Sequence, residues 1–447
     1  MHPIPVAFSE RIQLQFPAEA DSFLAALHQT PVSSVRLNRS KPGALFPNAS
    51  LLPWNTEGYL LDYRPRYTFD PLFHAGCYYP QESSSMVLQW VLSHVVPSDE
   101  TVDALDLCAA PGGKSLIIAD FLRDRGRLIS NELVRTRAQI LNEVVVKWGC
   151  KNVAVTNNRP VDFVQSGMLF DLLIVDAPCS GEGMFRKDPE ARGEWNIGSA
   201  QMCSKRQMEI LSDACKVLRE NGVLIYSTCT YATEENEDII SALLATGEYE
   251  TLRWPVPSEW NVSLIDHDGV FAMRFLPHRS PGEGFFISAL RKTSSVTAKK
   301  SKPKSVFSGP LTSDSAILRN WGISDDGVVL APDGELYHSV FTRQELNTLA
   351  GSLYFLRPGI QIGKVVRSEL IPAHALALMP HSLNGSEPFE LNEAQASAYL
   401  RGESILVDAP NGWRRVAFQS QVLGWIKVIG NRINNYYPKE WRVKLKE

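Results

Sequence analysis

Short apolar segments alternate with amphipathic helical patterns through the middle of this chain, and this alternation constrains its fold more than any other feature. The predicted strands are 103–107, 126–132, 152–157, 170–179 and 222–230, and the predicted helices are 116–122, 133–148 and 201–218. Such alternation predicts a parallel sheet with helices on both faces. Ligands bind such sheets beyond the carboxyl ends of the strands. We therefore expect an α/β, Rossmann-like core with a site at one sheet edge.

The chain length of 447 residues predicts about three domains, at roughly 150 residues each. Composition divides it into an N-terminal extension (1–70), which is expected to bind RNA, the core (71–291), a linker (292–308), an intermediate region (309–384) and a C-terminal region (385–447). The linker has five lysines and no acidic residue, so it is predicted to be mobile. Glu220–Gly222 is expected to end the helix 201–218.

Cysteine usage and hydropathy indicate the compartment. The seven cysteines form no Cys-x-x-Cys pair, which disfavours a disulfide framework or a zinc ribbon. No apolar run approaches the roughly 18 residues of a membrane span. We expect a cytoplasmic monomer with no membrane partner and no metal.

The net charge is −4, but the segment from Asn411 onward has eight basic and two acidic residues, a balance of +6. This predicts phosphate contacts from a C-terminal RNA-binding surface. The candidate contacts are Arg414, Arg415, Lys427, Arg432, Lys439 and Arg442, with Lys444 and Lys446 also counted in the balance. The interleaved aromatic residues are expected to form the core of a small β-barrel, with one or two stacking on bases: Trp413, Trp425, Tyr436, Tyr437 and Trp441.

A glycine-containing loop, Pro111-Gly112-Gly113, lies between a predicted strand and helix. A phosphate-binding P-loop needs glycine at position 108, where this chain has Cys108, and the spacing also fails the dinucleotide fingerprint. The remaining interpretation is a loop for a smaller, partly cationic nucleoside, with Glu132 accepting hydrogen bonds from ribose hydroxyls. The alternative is a plain strand–helix turn with a surface glutamate.

Two cysteines, Cys179 and Cys229, follow predicted strands that a right-handed crossover brings together. Cys77, Cys150, Cys203 and Cys215 are expected to be small buried hydrophobes. A reachable thiolate can add to carbon 6 of a pyrimidine and make carbon 5 nucleophilic. A carboxylate such as Asp176 can bond the ring and stabilise the adduct. The spacing alone favours Cys179, in the Pro178-Cys179 string, as the attacking thiol.

Several longer strings resemble one known family. They are YYPQESSSM (78–86), DLCAAPGGK (106–114), DAPCSGEG (176–183), STCT (227–230), EENE (234–237) and GEGFFI (282–287). In this order they resemble the NOL1/NOP2/Sun RNA cytosine-5 methyltransferases over residues 75–291. FELNEAQASAYLRG (389–402) and NNYYPKEWR (434–442) resemble the PUA-like part of the bacterial RsmF subgroup, which methylates small-subunit ribosomal RNA.

The resemblance implies a class I methyltransferase core and a set of residue roles. S-adenosylmethionine would be held by Cys108, Ala109, Ala110, Pro111, Gly112, Gly113 and Lys114, with Glu132 on its ribose and Asp176 on both cofactor and cytosine. Cys229 would be the nucleophile, and Cys179 would assist product release. The family often has aspartate near the adenine, where this chain has Asn157 and Asn158; Asn158 is the preferred contact.

Arg186, Lys187 and Arg192 form either an RNA phosphate contact or a solvated basic loop. The sequence as a whole predicts an S-adenosylmethionine-dependent RNA cytosine-5 methyltransferase acting on 16S ribosomal RNA, free or in the 30S subunit. The alternatives are a transfer-RNA cytosine-5 methyltransferase and a non-catalytic ribosome-assembly protein that binds RNA.

Overall fold

A computed structural model describes residues 2–43, 46–299, 301–379 and 387–444. Lys300, Lys446 and Glu447, which entered the charge arguments, lie outside the described residues. The N-terminal elements are α1 (Val6–Gln15), α2 (Ala20–Ala26), β1 (Ser33–Leu37), β2 (Ser50–Leu51), β3 (Gly58–Leu61), α3 (Pro71–Ala75) and β4 (Tyr78–Pro80). The strands form one sheet in the order β2-β3-β1-β4. Because Pro80 pairs with Val35, this unit extends past residue 70.

The helices α1 and α2 pack on the segment that follows Cys179. Phe8 and Phe23 are fully buried in a cluster with Phe185, Trp195 and Tyr231. Beneath this cluster, the buried Glu182 carboxylate accepts hydrogen bonds from the Arg11 guanidinium and, at 3.0 Å, from Trp195 Nε1. The N-terminal helices therefore fix the conformation of the loop after Cys179.

The core contains seven of the fourteen α-helices in the described part of the chain. Its elements are α4 (Leu88–Val95), β5 (Val102–Asp106), α5 (Gly113–Leu122), β6 (Gly126–Asn131), α6 (Arg135–Trp148), β7 (Val153–Thr156), α7 (Pro160–Ser166), β8 (Phe170–Asp176), α8 (Ala191–Glu194), α9 (Ser199–Ala214), β9 (Leu218–Thr228), α10 (Glu237–Ala245), β10 (Tyr249–Thr251), β11 (Ser263–His267), β12 (Val270–Phe275) and β13 (Phe285–Lys292). β5 pairs in parallel with β6 on one side and β8 on the other, so the strand order reverses at β5. A ligand site is expected at this reversal.

The parallel α/β prediction is confirmed, with two corrections at the strand ends. α9 ends at Ala214, and Glu220–Gly222 lies inside β9, where Asn221 adopts φ 65° at an irregular register. The asparagine and glycine there shape a bulged strand start rather than a helix stop. β8 ends at Asp176, so Cys179 lies three residues beyond the strand, whereas Cys229 follows β9 directly.

The remaining elements include the strands of two further sheets. They are α11 (Thr312–Asn320), β14 (Val328–Leu330), β15 (Glu335–Ser339), α12 (Arg343–Leu349), β16 (Phe355–Arg357), β17 (Gly359–Val366), β18 (Glu369–Pro372), α13 (His374–Leu378), β19 (Phe389–Glu390), α14 (Glu393–Leu400), β20 (Gly412–Phe418), β21 (Gln421–Ile429) and β22 (Arg432–Asn435). The orders are β14-β15-β17-β18 and β19-β20-β21-β22, and the second is an open four-stranded sheet rather than the expected closed barrel.

The intermediate region is joined to the core through its own strand. β16 pairs antiparallel with β7 and extends the central sheet, whose order is β11-β12-β13-β9-β8-β5-β6-β7-β16. The predicted mobile linker is partly held in place as well. Lys292 is buried in β13 and donates to the Cys215 carbonyl at 2.6 Å, and the Asn347 side chain accepts from both Val306 N and Phe307 N at 2.8 Å.

Across the described ranges, no helix combines the length and apolarity needed to cross a bilayer.

Candidate active site

A charged pair lies where the strand order reverses. Lys114, in the first turn of α5, places Nζ 2.9 Å from Asp176 Oδ2 at the end of β8. Ser227, near the end of β9, donates to Asp176 Oδ1 at 2.7 Å. Although burial alone would lower it, the Asp176 carboxylate raises the pKa of Lys114 above its usual value, with a further contribution from Cys229. This pair is thus a fixed, charged centre beside a sulfur.

The loop from Cys108 to Lys114 allows close approach of a ligand. Gly112 has φ +125°, and a Cβ there would come within 2.9 Å of Val144 on α6. Only glycine therefore fits between this loop and the helix. Arg137 of α6 donates to the Ala110 carbonyl at 2.9 Å and fixes the loop from the other side. The first-turn N–H groups of α5 have no acceptor within their own helix.

The two thiols predicted to act together are in contact. Cys179 Sγ and Cys229 Sγ are 3.2 Å apart. The hydrogen bond to Cys229, together with burial, raises the pKa of the Cys179 thiol well above its usual value. Cys179 therefore keeps its proton near neutral pH. The contact between the two sulfurs does not itself show which of them attacks.

A buried glutamate positions the thiol loops and was not among the predicted site residues. Glu235 accepts at 2.9 Å from Ser180 N and at 2.9 Å from Gln207 Nε2. Its carbonyl accepts from the Tyr226 hydroxyl at 2.7 Å. Glu235 belongs to the EENE string (234–237), so a signal was present in the sequence, but nothing there assigned it to the Cys179 loop.

Asp106, at the end of β5, has an incompletely satisfied carboxylate. Ser115 Oγ donates to Oδ2 at 2.6 Å, while Oδ1 is buried with no hydrogen-bond partner among the described residues. Burial raises the pKa of Asp106 to about 7, despite the opposing hydrogen bond from Ser115. Such an orphaned oxygen is costly. It fits a site completed by a ligand that carries positive charge.

Glu132 lies where the sequence placed it, at the end of β6. Its carboxylate accepts from Val134 N at 2.9 Å and lies 3.4 Å from Arg137 Nη1. Lone pairs remain for further donors, since an ionised carboxylate offers about four acceptor positions. The neighbouring Asn157 donates to the Glu132 carbonyl at 2.7 Å and stabilises this turn.

The preference for Asn158 as an adenine contact is not supported by its placement. Asn158 Nδ2 donates to the Tyr354 carbonyl at 3.1 Å, and its Oδ1 accepts from Tyr354 N at 2.8 Å. Both ends of the amide are therefore engaged by the segment that leads into β16. Asn158 joins the intermediate region to the edge of the site.

The basic loop after Cys179 contains both buried and exposed side chains. Arg186 is buried and donates to Glu283 Oε2 at 2.9 Å and to the Gly282 carbonyl. Arg192 is buried and donates to the carbonyls of Phe185 and Leu27. Neither of the two expectations, an RNA phosphate contact or a solvated loop, fits Arg186 and Arg192, because both guanidinium groups are buried and hydrogen-bonded to internal partners. Lys187 alone of the three is exposed.

The C-terminal basic residues also differ in availability. Lys427 is bound to Glu369 at 2.6 Å, and Arg414 donates to the Trp413 and Asn411 carbonyls. Arg415 and Arg442 are half-buried, while Arg432 and Lys439 are exposed. Among the aromatic residues, Trp413, Trp425 and Tyr437 are buried, and Tyr436 is 39% exposed. The described residues contain no cluster of three or more histidine, cysteine or acidic side chains suited to a metal ion.

These features define a class of protein. A parallel α/β sheet with antiparallel β13 beside β9, and a glycine-containing loop at the strand reversal, is a Rossmann-like methyltransferase fold. The family described as 16S rRNA methyltransferase RsmB/F matches residues 93–291. The N-terminal domain of 16S rRNA methyltransferase RsmF matches residues 4–83, and the methyltransferase RsmF PUA domain matches residues 386–443.

Relatives match over nearly the whole chain. Ribosomal RNA small subunit methyltransferase F of Escherichia coli O157:H7 is 30% identical over 98% of this chain and 96% of its own length. The protein of that name from Vibrio parahaemolyticus is 30% identical over 98% of both chains. This chain belongs to the RsmF group of the 16S rRNA methyltransferase RsmB/F family.

Solved structures support the same fold. A methyltransferase homolog protein from Pyrococcus horikoshii aligns with a TM-score of 0.54 at 26% identity, covering 64% of this chain and 94% of its own. NSun6 from the same organism, solved with SFG, aligns with a TM-score of 0.55 at 21% identity over 65% of this chain and 99% of its own.

Proposed function

We propose that this chain is an S-adenosylmethionine-dependent RNA cytosine-5 methyltransferase that acts on 16S ribosomal RNA of the small subunit. The single observation that carries the proposal is the contact between Cys179 and Cys229, 3.2 Å apart, beside the Lys114–Asp176 pair. Base methylation at an unactivated carbon needs a nucleophile, a proton partner and a charged group that binds the ring. We further propose that it works as a monomer in the cytoplasm.

The residues around the strand reversal fit the cofactor. Asp106 offers a buried oxygen without a partner among the described residues, and glycine at position 112 lets the loop pack against Val144 of α6, where a Cβ would clash. Residues 108–114, Glu132 and Asp176 would hold the cofactor, with Glu132 accepting from ribose hydroxyls. When bound, S-adenosylmethionine supplies an electrophilic methyl group on a positively charged sulfur.

The chain's own residues would perform the covalent chemistry on the target base. Cys229, as thiolate, forms a bond from Sγ to carbon 6 of cytosine, and the electron pair displaced from the 5,6 double bond makes carbon 5 nucleophilic. Asp176, held by Lys114 and Ser227, bonds the base and stabilises the charge that develops on the ring. The Lys114 ammonium lies close enough to the Cys229 sulfur for the two to interact electrostatically.

Release reverses the attachment. After methylation, a base removes the remaining proton from carbon 5, the 5,6 double bond re-forms, and the Cys229 sulfur leaves carbon 6. Cys179 lies 3.2 Å from that sulfur with its proton held by a raised pKa, which suits it to assist this departure. The cytosine must leave its stack to reach the site, at a cost of roughly a few kcal/mol.

The proposal is tested by bisulfite mapping of ribosomal and transfer RNA from cells with and without this chain. We expect a 5-methylcytosine in small-subunit ribosomal RNA that disappears with the chain and returns with wild-type but not Cys229→Ala protein. A missing modification in transfer RNA alone would identify the alternative substrate. Unchanged modification in both RNAs would contradict the catalytic function.

A further inference from the structure

A cleft of about 380 Å³ lies between the N-terminal sheet and the loops that follow the core strands. Its volume is within the roughly 300–1,000 Å³ range of ligand pockets. One wall is formed by the start of β1 and the end of β3 with Tyr63, Arg64 and Tyr67, and the other by Lys187 and Gly282–Glu283. The sequence assigned no role to Tyr63, Arg64 or Tyr67.

This cleft adjoins both halves of the proposed reaction centre. Gln81 lines the cleft, and its side chain would be 3.0 Å from a Cβ placed on Gly113 of the cofactor loop. On the other side, Gly284, which follows the cleft-lining Glu283, would have its carbonyl 2.7 Å from a Cβ on Gly183. Gly183 N in turn donates to the Cys229 carbonyl at 2.8 Å. The cleft therefore borders the segments that pack against the cofactor loop and against the Cys229 backbone.

The charges in the cleft are distributed unevenly. Glu283 is paired with Arg186, and the Glu82 carboxylate accepts from the backbone N–H groups of Ser84, Ser85 and Glu283 at 2.8–3.0 Å. Asp62 is exposed at the rim. Arg64 and Lys187 are exposed, and neither forms an ion pair with any other described residue.

An aromatic side chain stands beside these cations. Tyr63 is 50% exposed, although a large aromatic side chain is ordinarily buried to a greater extent. Exposed aromatic rings next to unpaired cations are the features with which proteins hold single-stranded nucleic acid, by base stacking and phosphate contact.

We propose that this cleft holds the RNA strand adjoining the target cytosine, with Lys187 and Arg64 on phosphates and Tyr63 stacked on a neighbouring base. The assignment rests on the proposed function and deepens it, because it names the residues with which the N-terminal extension, expected from the sequence to bind RNA, would contact the strand beside the target cytosine. It also separates Lys187 from its buried neighbour Arg186.

The test measures binding of a short single-stranded RNA containing the target cytosine to the full-length chain, by fluorescence anisotropy at several salt concentrations. Lys187→Ala and Arg64→Ala should each weaken binding and reduce the salt slope by about 0.7 for each phosphate that is no longer neutralised. Tyr63→Ala should weaken binding roughly 5-fold or more without changing the slope, and Tyr63→Phe should restore it.

Lys216→Ala is the matched control, since Lys216 is 57% exposed just before β9, at the opposite edge of the sheet. The KM for the cofactor should stay unchanged in all variants. Lys187 and Arg64 variants that keep the affinity and salt slope of the Lys216→Ala protein, together with a Tyr63→Ala variant that keeps its affinity, would overturn the cleft assignment, even if the wild-type chain methylates RNA. A wild-type chain that binds RNA through this cleft but transfers no methyl group would overturn the proposed function alone.

Discussion

Charged side chains lie at both edges of the central sheet, where the parallel strands begin and where they end, but they serve different purposes at the two edges. At the amino edge, Arg127 bonds Asp103 at 2.6 Å and Glu345 at 3.0 Å, and Arg219 lies between Asp103 and Asp171. Every charge in this group faces an opposite charge. At the carboxyl edge, the Lys114–Asp176 pair stands beside Asp106, which has an unpartnered oxygen, and beside two thiols in contact.

This difference distinguishes a structural network from a reactive one. The amino-edge network joins α12 to the core and satisfies its own charges, so it needs no ligand. The carboxyl edge leaves acceptor capacity and nucleophiles unused, which costs stability unless a ligand completes it. Charged residues alone do not mark a site; incomplete pairing at a strand reversal does.

Lys114→Gln should give the largest effect at the carboxyl edge. Asp176 would lose its cation, and the Cys229 sulfur would lose a nearby positive charge. We expect methyl transfer to fall about 100- to 1,000-fold, as for removal of a positioned electrostatic group. Single-turnover rates at saturating RNA and cofactor measure the loss, and a rate within a few-fold of wild type would remove Lys114 from the catalytic machinery.

Asp106→Asn tests the incompletely hydrogen-bonded Asp106 carboxylate through the pH dependence of the unfolding free energy. The folded-state pKa of about 7 lies above the ordinary value of 3.8, so the folded state holds this proton more tightly than the unfolded state. Asp106 therefore costs stability progressively as pH rises from about 4 to 7. Without cofactor, the asparagine variant should be more stable at pH 8 by an amount on the order of a few kcal/mol, and nearly unchanged at pH 4. Urea unfolding at both pH values checks this, with exposed Asp268→Asn as control; equal differences at both would refute it.

Asn158→Asp distinguishes a structural clamp from an adenine contact. Aspartate keeps an acceptor for an adenine amine but loses the donor to the Tyr354 carbonyl and faces it with an oxygen instead. The clamp interpretation predicts a cofactor Kd raised roughly 3- to 10-fold, because removing a buried hydrogen bond costs about 1 kcal/mol. RNA affinity should be retained. Calorimetric titration would instead show unchanged or tighter cofactor binding if the side chain touched adenine.

Arg127→Gln should have the smallest effect on activity and a clear effect on stability. It leaves Asp103 with Arg219 alone and removes the partner of Glu345. We expect a loss of about 1–2 kcal/mol in unfolding free energy, given the partial exposure of the group. The rate per folded molecule should be unchanged. A slowed rate with intact stability would mean that the two edges are coupled.

The sequence was most informative where the chemistry depends on local order. The order of the strands could be predicted, and so could the position of the Cys108–Lys114 loop, Glu132, Asp176 and both cysteines at one sheet edge, because apolar runs mark strands and the residues after parallel strands share one edge. The thiol contact itself follows from strand adjacency.

The structure differs from the sequence-based expectations at side chains whose partners are distant in the chain. Arg186 resembles a surface cation until Glu283, 97 residues away, pairs with it, and Asn158 is engaged by Tyr354, 196 residues away. Neither pairing leaves a periodic or compositional signal. The buried role of Glu235 was missed for the same reason, since its partner Ser180 lies 55 residues earlier.

The proposed mechanism assigns attack to Cys229 and assistance of product release to Cys179. Trapping a covalent protein–RNA adduct tests these two roles directly. Cys179→Ala protein incubated with cofactor and target RNA should accumulate a covalent adduct that survives a denaturing gel, because Cys229 still attacks while release is impaired. Cys229→Ala protein should form none. An adduct in the Cys229→Ala protein, with none in Cys179→Ala, would contradict the account.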